Sequence, residues 1–267
     1  MGSTLCSTPV TVKMKFATYN LRFGGKSGIR IHWQIFMDAA NPDIFLVQET
    51  LPPEHYFPKD LAFDFTKQSH WEAVNDRPWG SAVYVRSGQV VPLEPLASDF
   101  LGWVTGVKVM GFGWPMLAGE TLYIYSIHAP SGRSSYVRQV NLILDLIKQQ
   151  VPADSKAIIG GDFNLSVGFR HPKEELQHNQ PKLMARFQRE FGLMNCWQMA
   201  HPTQDLVQTL RWSNDKTKPF HCDGIFASAH WYRFLDGAEV ISGEDWDRLS
   251  DHNPVVASFN IDHPTVR

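Results

Sequence analysis

Ala157-Ile158-Ile159-Gly160-Gly161-Asp162-Phe163-Asn164 runs from an apolar triplet through two glycines into a carboxylate and a carboxamide two residues apart. The triplet reads as a buried strand, and the polar pair marks where that strand ends. Residues i and i+2 of a strand share a face, so Asp162 and Asn164 project together if the extended geometry persists. One phosphate or one attacking water could then touch both. The two glycines let another group approach the backbone closely. The competing reading is an Asp/Asn turn that closes the strand, because these side chains hydrogen-bond their own backbone.

Outward from this stretch the same pattern recurs. Lys13 to Tyr19 reads as a strand that delivers Asn20 to a sheet edge. Ile29 to Ala40 reads as a helix stopped by Asn41-Pro42, and Asp43 to Gln48 as a buried strand ending at Glu49. Strands follow at Ser81–Arg86, Val104–Met110 and Thr121–Ile127, the last ending at His128. Arg133 to Gln149 has helical spacing at Val137, Val140, Leu144 and Ile147. A polar connection follows Asp162, then a helix over Pro181–Phe191. Phe220 to Ala227 reads as a strand with Asp223 inside it, and Pro254 to Ile261 as a strand after Ser250-Asp251-His252. Strands outnumber helices, so the expected class is α/β, two packed sheets covered by helices.

The 267 residues are 43% hydrophobic and 19% charged, as for a globular chain with one large domain. With no linker or repeat in view, residues 13–262 are expected to form a single domain, with 1–12 a loose N-terminal segment and 263–267 a tail. The net charge of −2 does not advertise a nucleic-acid binder, although a local basic groove remains open. Arg133 and Arg138 are candidates for it, while Lys216 and Lys218 read as solvated charges. Cys6, Cys196 and Cys222 are odd in number and lack metal-ligand spacing, which points to a reducing, cytoplasmic or intracellular setting. No stretch is long and apolar enough to span a bilayer, and the N-terminus lacks the form of a secretory signal. Gly2 is followed by Cys6 where myristoylation wants Ser or Thr. No membrane and no obligate protein partner is expected, and the chain is read as a monomer.

Asn20, Glu49, His128, Asp162 with Asn164, Asp223, and Asp251 with His252 all fall at strand ends or turns, where catalytic groups concentrate. Singly each has a bland explanation: a turn Asn, a surface carboxylate, a satisfied interior histidine. Together, and in this order, the segments Thr18-Tyr19-Asn20-Leu21-Arg22, Val47-Gln48-Glu49-Thr50, Ser126-Ile127-His128-Ala129-Pro130, Gly160 to Asn164, Cys222-Asp223-Gly224-Ile225-Phe226 and Leu249 to Pro254 make the chain resemble the endonuclease/exonuclease/phosphatase superfamily, from about residue 14 to 260. The resemblance implies a four-layer α/β/β/α sandwich and a divalent metal, Mg2+ or alternatively Mn2+. It implies Glu49 as principal metal ligand, Asn20 beside it, and Asp251 near the metal side, with one ion or two both open. It further implies Asp162 orienting or deprotonating water, Asn164 and His128 holding phosphoryl oxygens, and His252 paired with Asp223 as a charged stabiliser.

A serine hydrolase using Ser250 or Ser126 is rejected, since no Gly-x-Ser-x-Gly elbow is present. The expected activity is Mg-dependent phosphodiester hydrolysis, a nuclease acting on DNA as an endonuclease. The alternative is a phosphatase or phosphodiesterase on a small molecule, a lipid headgroup or a protein-DNA adduct. A binding module that has lost its chemistry is the third class. His128-Ala129-Pro130-Ser131 looks like the deoxyribonuclease branch, and nucleic acid is the expected substrate. Its contacts are read as Arg133, Trp114 and Trp212; Trp79 and Trp103 also lie near loops. Gly111 to Met116 is read either as a substrate lip or as a buried hairpin connection.

Overall fold

Met14, Phe16, Ile44 and Leu46 are buried in one apolar cluster, whereas their neighbours Ala17, Tyr19, Phe45 and Val47 are buried in another, as the two-residue period of a strand requires. The computed structural model describes residues 13–24, 29–55, 64–111, 120–132, 134–169, 180–218 and 220–261. In chain order the elements are β1 (Lys13–Asn20), α1 (Ile29–Ala40), β2 (Ile44–Thr50), α2 (Phe65–Gln68), β3 (Ser69–Ala73), β4 (Gly80–Val85) and β5 (Gln89–Pro92). Next come β6 (Val104–Met110), β7 (Leu122–His128), α3 (Tyr136–Gln150), β8 (Lys156–Asp162), α4 (Gln180–Phe191), β9 (Leu193–Asn195) and α5 (Cys196–Ala200). The chain closes with β10 (Asp223–Ser228), α6 (Ala229–Tyr232), β11 (Leu235–Val240), α7 (Glu244–Leu249) and β12 (Val255–Asn260).

Two six-stranded mixed sheets result, in the orders β11-β12-β1-β2-β4-β3 and β5-β6-β7-β8-β10-β9. Each has one parallel pair, β1 with β2 and β7 with β8, and the chain between the paired strands carries α1 in one case and α3 in the other. Between the sheets lie Met14, Phe16, Leu46, Val83, Ile124, Ile158 and Phe259. The outer face of the first sheet packs Trp33 and Phe36 of α1 with Trp246 of α7, and that of the second packs Val140, Ile143, Leu144, Leu183 and Phe187 of α3 and α4. This is the four-layer α/β/β/α sandwich expected.

Differences from the sequence reading have local causes. The strands it lacked, β3, β5, β9 and β11, are the outer edges of the two sheets. Edge strands bury less and show a weaker pattern: β3 is half-buried throughout. Helix α3 begins at Tyr136, because Ser135 caps it by accepting from Arg138 N at 3.4 Å. Arg138, a candidate for a basic groove, makes no ion pair among the described residues, and its backbone N serves the cap. Strand β10 begins at Asp223, not Phe220, whose backbone pairs instead with Leu210. Residues 1–12 and 263–267, Cys6, and the Phe112 to Met116 part of the supposed lip lie outside the described residues. Among the described residues no helix is long and apolar enough to cross a membrane.

Gly160 and Gly161 do structural work. A Cβ on Gly160 would meet Leu46 Cδ1 at 2.6 Å, so its absence lets the sheets close up at this end. Gly161 has φ +145° and a Cβ there would lie 1.8 Å from Ile127 O on the neighbouring strand. Replacing Gly161 with Ala should therefore lower unfolding stability in urea by about 3 kcal/mol or more. The control Gly237→Ala, where a Cβ meets nothing within 4 Å, should stay within about 0.5 kcal/mol of wild type. Equal effects at both positions would refute this account.

Candidate active site

Along the inter-sheet face the side chains change character toward one end. On β1 the inward series is Met14, Phe16, Thr18, Asn20; on β2 it is Ile44, Leu46, Gln48; on β7 it is Leu122, Ile124, Ser126, His128. The middle polar row is fully buried and satisfied across the gap. Gln48 Nε2 donates to Ser126 Oγ at 2.9 Å, Ser126 Oγ to Val47 O at 3.1 Å, and Thr18 Oγ1 to Gln48 Oε1 at 3.3 Å. The last row is the candidate site. Register aligns His128, Asp162 and Asp223 side by side on three adjacent strands.

Asp162, 1% exposed, is the centre. Its Oδ2 accepts from Asn20 Nδ2 at 3.2 Å across the sheets, and lies 3.7 Å from His252 Nε2 and 3.8 Å from His128 Nε2. Its Oδ1 accepts from Asn164 N at 2.9 Å. The last contact makes the Asp/Asn turn of the competing reading, and it does so with Asp162 still inside the polar cluster. Asn164 has φ +52°, so the extended geometry ends at Asp162 and the shared-face argument fails. Asn164 remains beside the site because its Nδ2 donates to Ala129 O at 2.9 Å.

Glu49 enters through a bulge. The pairing of β2 with β4 shifts between Val47 and Thr50, and Glu49 takes φ +47°, a strained conformation for a residue with a side chain. Without the bulge, Glu49 would face away from Gln48; with it, the carboxylate lies 3.3 Å from Asn20 Nδ2 and 3.8 Å from His128 Nε2. Ser250 holds the Asp251-His252 turn: its Oγ donates to Asn20 O at 2.9 Å and accepts from His252 N at 3.1 Å. That occupation leaves Ser250 a staple, in keeping with the rejection of a serine nucleophile. Asp251 faces Arg22, Nη1 to Oδ2 3.6 Å.

Sequence reasoning missed Arg211, which is buried between Leu210 and exposed Trp212. Its guanidinium donates to Ser250 O at 2.6 Å, to His252 O at 3.2 Å and to Asn253 Oδ1, and pairs with Asp247 at 3.2 Å. Thr209 Oγ1 accepts from Asp223 N at 3.0 Å. One segment thus fixes both members of the Asp223–His252 pair. A lone arginine in an apolar triplet was its only trace in sequence. Trp212 is 58% exposed at the segment's end; Arg133 and Trp114 lie outside the described residues. Trp79 and Trp103 pack edge to face and lie against His128, centroids 5.8 and 4.9 Å away. Lys216 pairs with Asp247 and Lys218 with Asp215, consistent with solvated charges.

Environment separates the two histidines. Burial alone would lower His252, but Asp223, 3.0 Å from Nδ1, and Asp162 push it up to about 10. Burial, opposed by Asp162 and reinforced by His252, lowers His128 to about 4. Asp162 is raised by burial against the opposing His252, with Asp223 adding. Glu49 is raised by burial too, opposed by His252 and the Asn20 amide. The site therefore holds an imidazolium, a neutral imidazole and two carboxylates raised in pKa. Asp162, Asp223 and His252 offer ligand atoms within 4.8 Å of one another, but the ion-pair chain through His252 already uses them. Glu49 suits a hard cation better, with carboxylate oxygen, an amide beside it and partial exposure.

A model of the family described as the Endonuclease/Exonuclease/phosphatase family matches residues 17–252. Comparison with curated proteins finds no match. Among solved structures, a 3'-5' exonuclease from Neisseria meningitidis is 19% identical with TM-score 0.66, covering 92% of this chain and 100% of its own. An AP endonuclease from Archaeoglobus fulgidus is 18% identical, TM-score 0.65, covering 93% and 100%. An AP endonuclease from Leishmania major is 15% identical, TM-score 0.64, covering 94% and 88%. At these identities the likeness is one of fold.

Two predictions follow from this geometry. Glu49→Gly and Glu49→Ala both remove the carboxylate, but the glycine variant should be the more stable by about 1 kcal/mol, since only it relaxes at positive φ; urea midpoints decide, and equal stability refutes the strain. His252 has a folded value above its ordinary 6.5, so its stabilisation is full below that pH and is lost as pH rises toward about 10. In chelator-treated protein, 15N imidazole shifts should show His252 doubly protonated and His128 neutral at pH 7. The stability gap between wild type and Asp223→Asn should narrow from pH 6.5 to 10; a flat gap would contradict it.

Proposed function

We propose, from the premise that this chain belongs to the endonuclease/exonuclease/phosphatase family, that it is a divalent-metal-dependent phosphodiester hydrolase, a nuclease that cuts DNA internally. The observation that carries the reading is Asp162, a buried carboxylate raised in pKa, touched by the Asn20 amide and flanked by His252 and His128. A base with elevated pKa is suited to taking a proton from water near neutral pH.

On this reading Asp162 orients water and accepts its proton as the water oxygen attacks phosphorus. The bond to the leaving oxygen breaks, that oxygen takes a proton from solvent water and Asp162 returns its own to solvent, giving an alcohol and a phosphate monoester end. His252, kept cationic by Asp223, stabilises the charge gathering on the phosphoryl oxygens, and neutral His128 donates a hydrogen bond to another of them. Asn164 retains a second amide proton for the same purpose. Glu49 would hold Mg2+ or Mn2+, with Asn20 beside it through a water because its Oδ1 accepts from Arg22 N and its Nδ2 faces Glu49; the ion when bound supplies Lewis-acid stabilisation of phosphoryl and leaving oxygens. The fixed Asn20–Asp162 contact would keep base and ion site in register across the sheets.

Nucleic acid as substrate is supported by the family and by exposed Trp212, an indole able to stack on a base. The structural neighbours named above are an exonuclease and AP endonucleases in their own right. Arg133 and Trp114 stay with Trp212 as proposed contacts. The net charge of −2 favours a second reading, hydrolysis of a small or lipid-headgroup phosphoester or a protein-DNA adduct.

The test is cleavage of plasmid, abasic and single-stranded DNA beside a phosphoester panel, with magnesium and with chelator. Magnesium-dependent nicking that falls about 10³-fold in Asp162→Asn and His252→Ala is expected. Intact DNA with turnover of another phosphoester would favour the second reading, and activity unchanged in both variants would defeat the catalytic assignment.

A further inference from the structure

Arg22 follows Asn20 by two residues, and its position is unusual. It takes φ +46°, its backbone N donates to Asn20 Oδ1 at 2.9 Å, and its guanidinium lies 3.6 Å from Asp251 Oδ2. A residue with a side chain adopts this conformation at a cost, so the surroundings impose it. The backbone bond turns Asn20 so that Nδ2 faces Glu49 and Asp162, and the same residue then sends a fixed positive charge to the other carboxylate at the mouth.

Glu49 and Asp251 thus differ in what faces them. Glu49 meets an amide and an imidazole nitrogen, at 3.3 and 3.8 Å, and feels Asp251 and Arg22 more weakly, without an ion pair to Arg22. Asp251 meets a guanidinium, which holds its charge at any working pH. A second divalent ion on Asp251 would have to displace that guanidinium or bind beside it against Coulomb repulsion. Arg22 is 48% and Asp251 22% exposed, so the pair adds little to fold stability. Its weight lies in the charge it sets at the site.

We propose that Arg22 stands in for a second metal ion: it balances Asp251 and keeps that carboxylate from taking a divalent cation, so the chain binds one ion, at Glu49. The inference rests on the metal reading of Glu49. It assigns Asp251 to Arg22 instead of to an ion, and makes metal stoichiometry a property of one exposed arginine.

Mn2+ titration of the purified chain, followed by calorimetry and by the electron paramagnetic resonance signal of free Mn2+, tests it without substrate. Wild type should bind one ion, Glu49→Gln should lose it, and Arg22→Gln should bind two. Arg22→Lys should keep one, and Arg22→Gln combined with Asp251→Asn should return to one. Two ions in wild type, or one in Arg22→Gln, overturns the role of Arg22 while leaving Glu49 as a ligand. An ion that survives Glu49→Gln, or no ion in wild type, overturns the metal reading itself and this inference with it. Circular dichroism of each variant confirms that stoichiometry is read on folded protein.

Discussion

A carboxylate that water barely reaches must be compensated by the protein, and at Asp162 that requirement organises everything near it. Isolated, a buried carboxylate would protonate or the site would open. Instead an amide from the opposite sheet, a backbone N–H and two imidazoles converge on it. One imidazole is charged because Asp223 behind it adds to Asp162, and Asp223 stands there because β10 pairs with β8 in a register that sets the two aspartates level. Remove any of these supports and the rest lose their reason.

Much of this was legible in the sequence because strand ends are easy to read. Apolar alternation that stops at Asn20, His128 or Asp162 announces both the strand and the residue it delivers, and α1 matched its expected limits. Glu49 was read as the end of a strand, with no indication of which way it faces. Period two would have turned it away from the site, and only pairing with β4 produces the bulge that brings it in. Nothing local in Val47-Gln48-Glu49-Thr50 encodes that shift.

Arg211 and the edge strands were illegible for related reasons. A buried arginine is identified by the carbonyls it satisfies, and those belong to residues 246–253, remote in sequence. Edge strands depend on the neighbour that recruits them more than on their own pattern. The histidines make the same point in chemical terms. His128 and His252 are the same residue type at 3.8 and 3.7 Å from one carboxylate, yet one is neutral and the other cationic, since only His252 has a carboxylate hydrogen-bonded to its other ring nitrogen.

The bond from Gln48 to Ser126 joins the two sheets and so also acts as a mechanical pin. Asn20 and Glu49 ride on one sheet, and His128, Asp162 and Asp223 on the other. Sliding one sheet past the other by a single ångström would separate Asn20 from Asp162 while leaving each sheet's own ladder intact. The pin sits one row behind the site, where it resists that shear most directly. Neither half can be competent by itself, and turnover becomes a readout of how firmly the two sheets are docked.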